Sequence, residues 1–344
     1  MAKIKVFVVD DSAFMRGIIT KMLESDNEIE VVGSARNGQE GIEKIGLLKP
    51  DVVTLDIEMP IMNGIEALKH IMKNNPLPVI MFSALTSEGA EITLEALNIG
   101  AADFITKDFS NFSIKISGKE NELVNKVKTV AKKKTLYLLR RVNLPKKQIA
   151  MNSQRRVRHS ILAIGASTGG PPAIEHVLSG IPADFPVPIV IAQHMPKLFT
   201  KSFAQRLNNI SQIAVKEAEN GEVLKSGTVL IAPGDYHMNI RKRNSEAFVE
   251  LVSDAKYIYR PSVDLLFSSI AQAYGMESVC VVLTGMGNDG LAGIKEIKNK
   301  NGYVIAQDED TCVVYGMPRA VVNANMADTV LPIDKITEEI IKVL

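Results

Sequence analysis

The 344-residue chain contains no tryptophan and only two cysteines, and aromatic residues make up 5% of it. Two cysteines cannot form a disulfide framework, which excludes a small disulfide-stapled fold and favours a reducing, cytoplasmic setting. No apolar run approaches the roughly 18 residues that a membrane span needs, and the first residues lack the layout of a signal peptide. The length instead predicts about two domains, each with a core of its own.

Acidic residues are nearly absent from one stretch. Residues 111–158 carry 14 basic and 2 acidic side chains, whereas both flanking stretches have more acidic than basic ones. This pattern predicts a first domain over 1–110, with its end as late as about 125, a basic linker over 111–158 and a second domain over 159–344. Contact between the linker and an anionic surface is the alternative, but no other feature favours nucleic acid or membrane insertion.

Strand-like apolar runs alternate with helical patterns throughout 1–110. This alternation predicts a five-stranded parallel sheet whose functional groups lie at the carboxyl ends of the strands. The polar groups at those ends are Asp10, Asp11, Asp56, Ser83 and Lys107. Three carboxylates at one edge repel, so they require a divalent cation or a raised pKa, and oxygen ligands suit Mg²⁺. Asp56, on the middle strand, is then the natural acceptor for a phosphoryl group.

This order of residues resembles the receiver domains of two-component response regulators over the whole of 1–110. The resemblance implies a flavodoxin-like fold in which Asp56 is phosphorylated by a histidine kinase. It also implies a Mg²⁺ ion held by Asp10, Asp11, Asp56 and the backbone carbonyl of Glu58.

The same resemblance assigns the remaining groups at this edge of the sheet. Ser83 and Lys107 would contact the phosphoryl group, and Phe104 would be the aromatic residue that reorients with it. Receivers usually have a proline after this lysine, whereas Asp108 follows Lys107 here. The geometry of that loop, including a cis peptide bond, is therefore left open.

The strand–helix alternation resumes at residue 159, which predicts a second doubly wound, mostly parallel α/β domain. The run ILAIGASTGG (161–170) places Ser167 among small residues directly after a buried strand. Gly165 to Gly169 have the G-x-S-x-G spacing, in which small neighbours permit a sharp turn that exposes a nucleophilic serine. A dinucleotide-binding loop is the alternative, but G-x-G-x-x-G is not present.

One of the five histidines is placed to act on this serine. His194 ends the strand VPIVIAQH (187–194) and therefore shares a sheet edge with Ser167, within reach of a general base. The other four are His70 in the first domain, His159 in the linker, His176 on the helix after the serine, and His237 in a turn. We therefore interpret His194 as the base.

A third strand end supplies a carboxylate. VVLTGMGNDG (281–290) runs from a buried strand into a glycine-rich loop that carries Asp289, which could orient the histidine and stabilise its protonated form. The alternative is that Asp289 lies in a turn, where aspartate is common because it tolerates a left-handed backbone conformation. Asp235 and Asp264 compete for the same role but are less well placed. The order Ser…His…Asp differs from that of α/β-hydrolases, which indicates a different fold with convergent chemistry.

The stretches GASTGG, QHMP and TGMGNDG resemble the catalytic domain of the protein-glutamate methylesterases of bacterial chemotaxis. With the receiver in front, the resemblance covers the full chain. It implies hydrolysis of glutamyl methyl esters and deamidation of glutamines on the cytoplasmic helices of chemoreceptors, with no cofactor in the esterase site. It also implies that the backbone amides near Thr168 and Met286 hold the oxyanion.

Two other kinds of output domain for a receiver are the alternatives. A transcriptional regulator needs a short basic helix-turn-helix, and a nucleotide-binding module needs a phosphate loop; the acidic, strand-rich stretch 159–344 has neither pattern. We also expect a steric switch, in which the first domain covers the Ser167 cleft until Asp56 is phosphorylated. Direct stimulation of catalysis by the phosphorylated receiver is the alternative.

Overall fold

The computed structural model describes residues 2–107, 115–132, 159–244, 246–254 and 259–344. The chain divides into two compact units, Met1–Val142 and Asn143–Leu344. Across the described ranges, no helix combines the length and the apolar character needed to cross a bilayer.

The first unit is a five-stranded parallel sheet in the order β2-β1-β3-β4-β5, as predicted. Its strands are β1 (Ile4–Val9), β2 (Ile29–Ala35), β3 (Val52–Asp56), β4 (Val79–Ser83) and β5 (Asp103–Thr106). Its helices are α1 (Ala13–Glu24), α2 (Gly38–Leu48), α3 (Gly64–Asn74), α4 (Ser87–Ile99) and α5 (Lys115–Ala131). Strands β3 and β4 are buried along their whole length, because helices cover both faces of the sheet.

Helix α5 lies within the stretch that the charge pattern assigned to the linker. Its side chains Leu123 and Val127 are buried, and Lys128 forms ion pairs with Asp26 and Glu28 of the first unit. Lys128, which the charge pattern predicted to be exposed in a linker, therefore pairs with acidic residues about 100 positions earlier in the chain. Asp108 and most of the predicted linker lie outside the described residues.

The second unit contains a seven-stranded parallel sheet in the order β14-β13-β12-β6-β7-β9-β8 and a two-stranded antiparallel hairpin, β10-β11. The strands are β6 (Ile161–Ala166), β7 (Ile189–Gln193), β8 (Ala214–Glu217), β9 (Thr228–Ile231), β10 (His237–Arg243), β11 (Glu246–Val252), β12 (Ser278–Val282), β13 (Tyr303–Gln307) and β14 (Thr329–Leu331). The helices are α6 (Gly170–Ser179), α7 (Lys197–Ile210), α8 (Val263–Ala273), α9 (Leu291–Asn299), α10 (Met317–Asn323) and α11 (Ile333–Val343), with a 3₁₀ turn at Gly275–Glu277. The predicted α/β class is confirmed for both units.

The three middle strands, β12, β6 and β7, lead at their carboxyl ends into the segments that carry the predicted site residues. All three are fully buried. Pro171 and Pro172 occupy the first turn of α6, where a missing N–H costs little. The prediction that His237 lies in a turn is wrong: the turn covers residues 234–236, and His237 begins β10, where it pairs with Val252 across the hairpin.

Candidate functional site

Ser167, His194 and Asp289 come together at one edge of the second sheet. Strand β6 lies between β12 and β7, and Gly165 is in register with both Val282 and Ala192. The residues that follow these strands therefore emerge side by side. Chain order alone does not reveal this adjacency, because β12 begins more than 100 residues after β6.

The three side chains form a hydrogen-bonded series. Nδ1 of His194 lies 3.1 Å from Oγ of Ser167, and Nε2 of His194 lies 2.7 Å from Oδ2 of Asp289. The carboxylate can only accept, so Nε2 carries the hydrogen and Nδ1 is the nitrogen that accepts the serine proton. The imidazole and the carboxylate are nearly buried, with 9% and 8% of their side chains exposed. This arrangement can activate a serine nucleophile.

Backbone contacts hold Ser167 on a tight turn. Its N–H donates to the carbonyl of Thr284, and its own carbonyl accepts from the N–H of Gly170. The turn ends at Gly169, whose φ of +75° lies in the left-handed region that glycine tolerates best. A Cβ at Gly169 would also lie 2.4 Å from Val313, so both conformation and space require glycine there.

Gln193 holds the serine and histidine segments together, although no sequence motif assigns it a role. Its Nε2 donates to the carbonyl of Ser167 and to that of His194, each at 3.0 Å. It ends β7 with its side chain buried. The only sequence signal for this role is a polar residue at the end of a buried strand.

The Asp289 carboxylate is surrounded by hydrogen-bond donors. Besides His194, it accepts from Oγ of Ser262, from the N–H groups of Val263 and Asp264 at the start of α8, and from the N–H of Gly290. Burial raises the pKa of this carboxyl, but the hydrogen bonds from His194 and from α8 outweigh burial and hold the pKa of Asp289 below its ordinary value. The group is therefore an anion that can orient the imidazole.

Tyr259 covers the imidazole, and no sequence pattern pointed to it. Its ring stacks on His194 with 4.7 Å between centroids and 7° between planes. Tyr259 precedes α8 in an irregular segment, so it carries no periodic signal. It forms one wall beside the base.

The loops that carry Thr168 and Met286 meet beside Ser167. Oγ1 of Thr284 donates to the carbonyl of Thr168 at 2.9 Å. A Cβ at Gly285 would lie 2.9 Å from Cβ of Ser167, so this glycine permits the close approach of the second loop. Thr168 is buried and Met286 is half-buried.

The competing carboxylates do not contact the imidazole. Asp235 is exposed and pairs with Lys197, whereas Asp264 accepts from the N–H of Gly293. Burial, together with the charge of Asp289, raises the pKa of Asp264 against the hydrogen bond from Gly293. Asp289 is the carboxylate that meets His194.

The four remaining histidines each have a different place in the fold. His70 is exposed on α3 and His176 lies on α6. His159 contacts the carbonyl of Met276, and His237 is completely buried beneath α8.

The first unit brings its acidic residues together at the carboxyl edge of its sheet. One carboxylate oxygen from each of Asp10, Asp11 and Asp56 lies within 4.8 Å of the others. Nζ of Lys107 lies 3.0 Å from Oδ2 of Asp10 and 2.7 Å from Oδ2 of Asp56. The cluster consists of hard oxygen donors, the set that suits Mg²⁺.

The protonation of this cluster is set by burial and charge. Burial raises the pKa of Asp56 to about 6, against the opposing effect of Lys107. Burial lowers the pKa of Lys107, but the hydrogen bonds and charges of Asp56 and Asp10 outweigh it and raise that pKa overall. Asp56 therefore lies buried beside the carboxylate of Asp10, and the Lys107 ammonium pairs with both.

Ser83 and Phe104 occupy the neighbouring strands. Ser83 is completely buried, with Oγ 2.6 Å from Oγ1 of Thr93, so its hydroxyl takes part in a contact with α4. Phe104 is 7% exposed, and Nζ of Lys126 lies 5.6 Å from its ring centroid. Glu58 is exposed, two residues beyond Asp56, and its backbone N–H hydrogen-bonds that carboxylate.

Comparison with known proteins gives matches to both units. Residues 162–340 match the CheB methylesterase family, and residues 6–116 match the response regulator receiver domain. The chain is 48% identical, over 99% of each chain, to the protein-glutamate methylesterase/protein-glutamine glutaminase of Lawsonia intracellularis. It is also 48% identical to the protein of that name from Pyrococcus horikoshii, over 99% of this chain and 93% of the other.

A solved structure also resembles the second unit. The crystal structure of the Thermotoga maritima CheB methylesterase catalytic domain aligns with a TM-score of 0.53 and 45% identity, covering 54% of this chain and 99% of that one.

Proposed function

The chain belongs to the family of receiver-linked protein-glutamate methylesterases/protein-glutamine glutaminases, and we propose that Ser167, His194 and Asp289 are its catalytic triad. The activity is hydrolysis of glutamyl methyl esters and of glutamine side-chain amides in proteins. The observation that carries the assignment is the unbroken hydrogen-bonded series from Oγ of Ser167 through the imidazole to Asp289.

Acyl transfer follows from this geometry. Oγ of Ser167 attacks the side-chain carbonyl carbon of the substrate as Nδ1 of His194 accepts the hydroxyl proton. The tetrahedral intermediate collapses as the same nitrogen returns the proton to the leaving group, which departs as methanol or ammonia. Water then attacks the acyl-enzyme with His194 again as base, and Ser167 regains its proton as the substrate protein leaves with a glutamate side-chain carboxylate. Ester and amide give one acyl-enzyme, so one site serves both.

The oxyanion of the intermediate is held by backbone N–H groups of Thr168 and Met286. The support for this assignment is that both loops border Ser167 and are tied together through Thr284. Fixed backbone donors of this kind need no reorganisation as charge develops on the oxygen.

In the first unit, Asp56 is the phosphorylated residue. Asp10, Asp11, Asp56 and the backbone carbonyl of Glu58 would hold Mg²⁺, and the all-oxygen donor set with its close carboxylates supports this assignment. When bound, the ion neutralises the acidic cluster and stabilises negative charge on phosphoryl oxygens.

The other residues at this edge respond to the phosphoryl group. The Lys107 ammonium lies against Asp56 and would contact a phosphoryl oxygen there. The Ser83 hydroxyl would exchange its contact with Thr93 for one with the phosphoryl group, and Phe104 would reorient with it. This local charge change is what would regulate the esterase.

The partners follow from this chemistry. The substrates are methylated chemoreceptor cytoplasmic helices, and a chemotaxis histidine kinase is the phosphodonor, which together place the protein in the cytoplasm. The two cysteines, Cys280 and Cys312, are buried thiols that form no disulfide, which is compatible with a reducing compartment. Neither nucleic acid nor membrane insertion is part of this function.

Three substitutions test the triad by methanol release from methylated receptors. S167A and H194Q should each lower the rate on the order of 10⁴-fold or more, because triad members act as a unit. D289N should lower it by a smaller factor, because Asp289 orients the base rather than reacting. Near-wild-type release by folded S167A protein would disprove the assignment, and a larger loss in D289N than in H194Q would reverse the two roles.

A further inference from the structure

His237 is a completely buried histidine that the triad does not include. It begins β10, the strand of the hairpin that stands apart from the seven-stranded sheet. Each nitrogen of its ring has a partner. Nδ1 accepts the backbone N–H of Ser262 at 3.0 Å, and Nε2 lies 3.1 Å from the carbonyl of Asp254.

These contacts assign the state of the ring. An N–H points at Nδ1, so that nitrogen carries no hydrogen, and a carbonyl faces Nε2, so that nitrogen donates. His237 therefore presents a fixed acceptor to the peptide of Ser262. A side chain without an acceptor at that point would leave a buried N–H without this partner.

Ser262 is the N-cap of α8 and connects His237 to the triad. Its Oγ accepts from the N–H of Leu265 and lies 3.2 Å from Oδ1 of Asp289. The next two residues, Val263 and Asp264, donate their N–H groups to the same carboxylate. The Ser262 peptide therefore sets where three of the donors to Asp289 lie.

We propose that His237 and Ser262 are positioning residues for catalysis, acting together to hold the Asp289 carboxylate where it aligns His194. This inference rests on the proposed triad and deepens it. The hairpin has a second anchor on α8, the Ile240 N–H that donates to Oγ of Ser269. Ser269 lies seven residues after Ser262 along the chain, away from the Asp289 carboxylate. It therefore provides a control residue that attaches the hairpin to α8 but does not position Asp289.

Two substitutions of His237 separate positioning from stability. In H237N, the amide oxygen can occupy the place of Nδ1 and keep the acceptor for Ser262. In H237Q, the amide reaches the place of Nε2 and keeps the contact with Asp254, but loses that acceptor. We expect H237Q to lower kcat for methanol release by between about 10-fold and 10²-fold while KM stays unchanged. H237N should keep kcat within about threefold of the wild-type value.

A spectroscopic signature accompanies the rate. The proton on Nε2 of His194, shared with Asp289, should give a downfield proton resonance that moves in H237Q and stays in H237N. The control S269A should lower the melting temperature without changing kcat or the resonance. Equal kcat in H237Q and wild type, or equal losses in H237N and H237Q, would overturn the proposal.

Substitutions of Ser262 provide a second test if a His237 variant fails to fold. S262A keeps the N–H to His237 but removes the hydroxyl from Asp289, whereas S262T keeps a hydroxyl at the N-cap. A lower kcat in S262A, restored in S262T, supports the proposal, and unchanged kcat in both contradicts it. The triad itself is judged separately by S167A in the same assay, so an active S167A protein points to failure of the proposed function instead.

Discussion

At the scale of single residues, His194 is held on three sides. Nδ1 faces Ser167, Nε2 faces Asp289, and the ring of Tyr259 lies parallel to the imidazole. A stacked aromatic ring restricts rotation of the imidazole and attracts the cation that forms when the imidazole takes the serine proton. Tyr259 is therefore expected to assist the base without touching the transferred proton.

Substitutions of Tyr259 test this role. Y259F keeps the stacked ring and should retain kcat for methanol release within about twofold, since the expected effect arises from the ring face. Y259L removes the π face but keeps an apolar side chain, and should lower kcat about tenfold, on the order of 1–2 kcal/mol for a partly desolvated cation–π contact. Steady-state kinetics on methylated receptor provide the measurement. A Y259L rate equal to that of Y259F would show that the stacked ring contributes nothing.

At the scale of elements, α5 is attached to the first sheet by a buried cation. Nζ of Lys126 lies 3.0 Å from Oδ2 of Asp103 and 3.2 Å from Oε1 of Glu122, and it donates to the carbonyl of Phe104. Burial lowers the pKa of Lys126, but the charges of Asp103 and Glu122 outweigh burial and raise it above the ordinary value of 10.5. The ion pair therefore favours the folded state.

K126M keeps the aliphatic length but leaves Asp103 without its cation. We expect the free energy of unfolding of the first unit to fall by about 3 kcal/mol, because removing one partner strands a buried charge. K69M is the matched control: its pair with Glu95 is about half exposed and should contribute at most about 1 kcal/mol. Urea unfolding followed by circular dichroism measures both variants, and equal losses in the two would contradict the expectation.

The same pair predicts a pH dependence. A lysine whose pKa is raised on folding contributes stability that is complete below its unfolded pKa, near 10.5, and is lost as the pH rises through the higher pKa of the folded chain. The difference in unfolding free energy between wild type and K126M should therefore shrink above pH 10.5.

At the scale of the whole molecule, the proposed regulation is steric. We expect the 159–344 fragment to release methanol faster than the unphosphorylated full-length chain, because the receiver no longer restricts access of a bulky receptor helix to Ser167. A crystal structure of the corresponding catalytic domain from Thermotoga maritima exists, which supports testing this fragment as a separate protein.

A small-molecule phosphodonor completes this comparison. It should raise the rate of the full-length chain in the presence of Mg²⁺ and leave the fragment unchanged. D56N should abolish the rise, because the acceptor carboxylate is gone. If the fragment is no faster and the phosphodonor still stimulates the intact chain, blocking is wrong and the receiver contributes directly to catalysis.

Local sequence patterns are enough to identify the residues that reach each sheet edge. In a parallel sheet every strand delivers the segment that follows it to the same edge. Ser167 and His194, which directly follow β6 and β7, and Asp289, in the loop after β12, could therefore be identified from apolar runs that lead into polar residues. The carboxylates of the first unit followed from the same rule. Local composition is sufficient there, because a buried strand and the residue after it are adjacent in the chain.

The surroundings of those residues, by contrast, are set by packing between distant segments of the chain. The stack of Tyr259 on His194, the contact of His237 with Ser262, and the burial of Lys126 against Asp103 each join segments that share no local pattern. The choice of Nδ1 rather than Nε2 to face the serine likewise depends on where α8 places Asp289. Such contacts depend on how separate elements pack, and hydrophobic periodicity describes one element at a time.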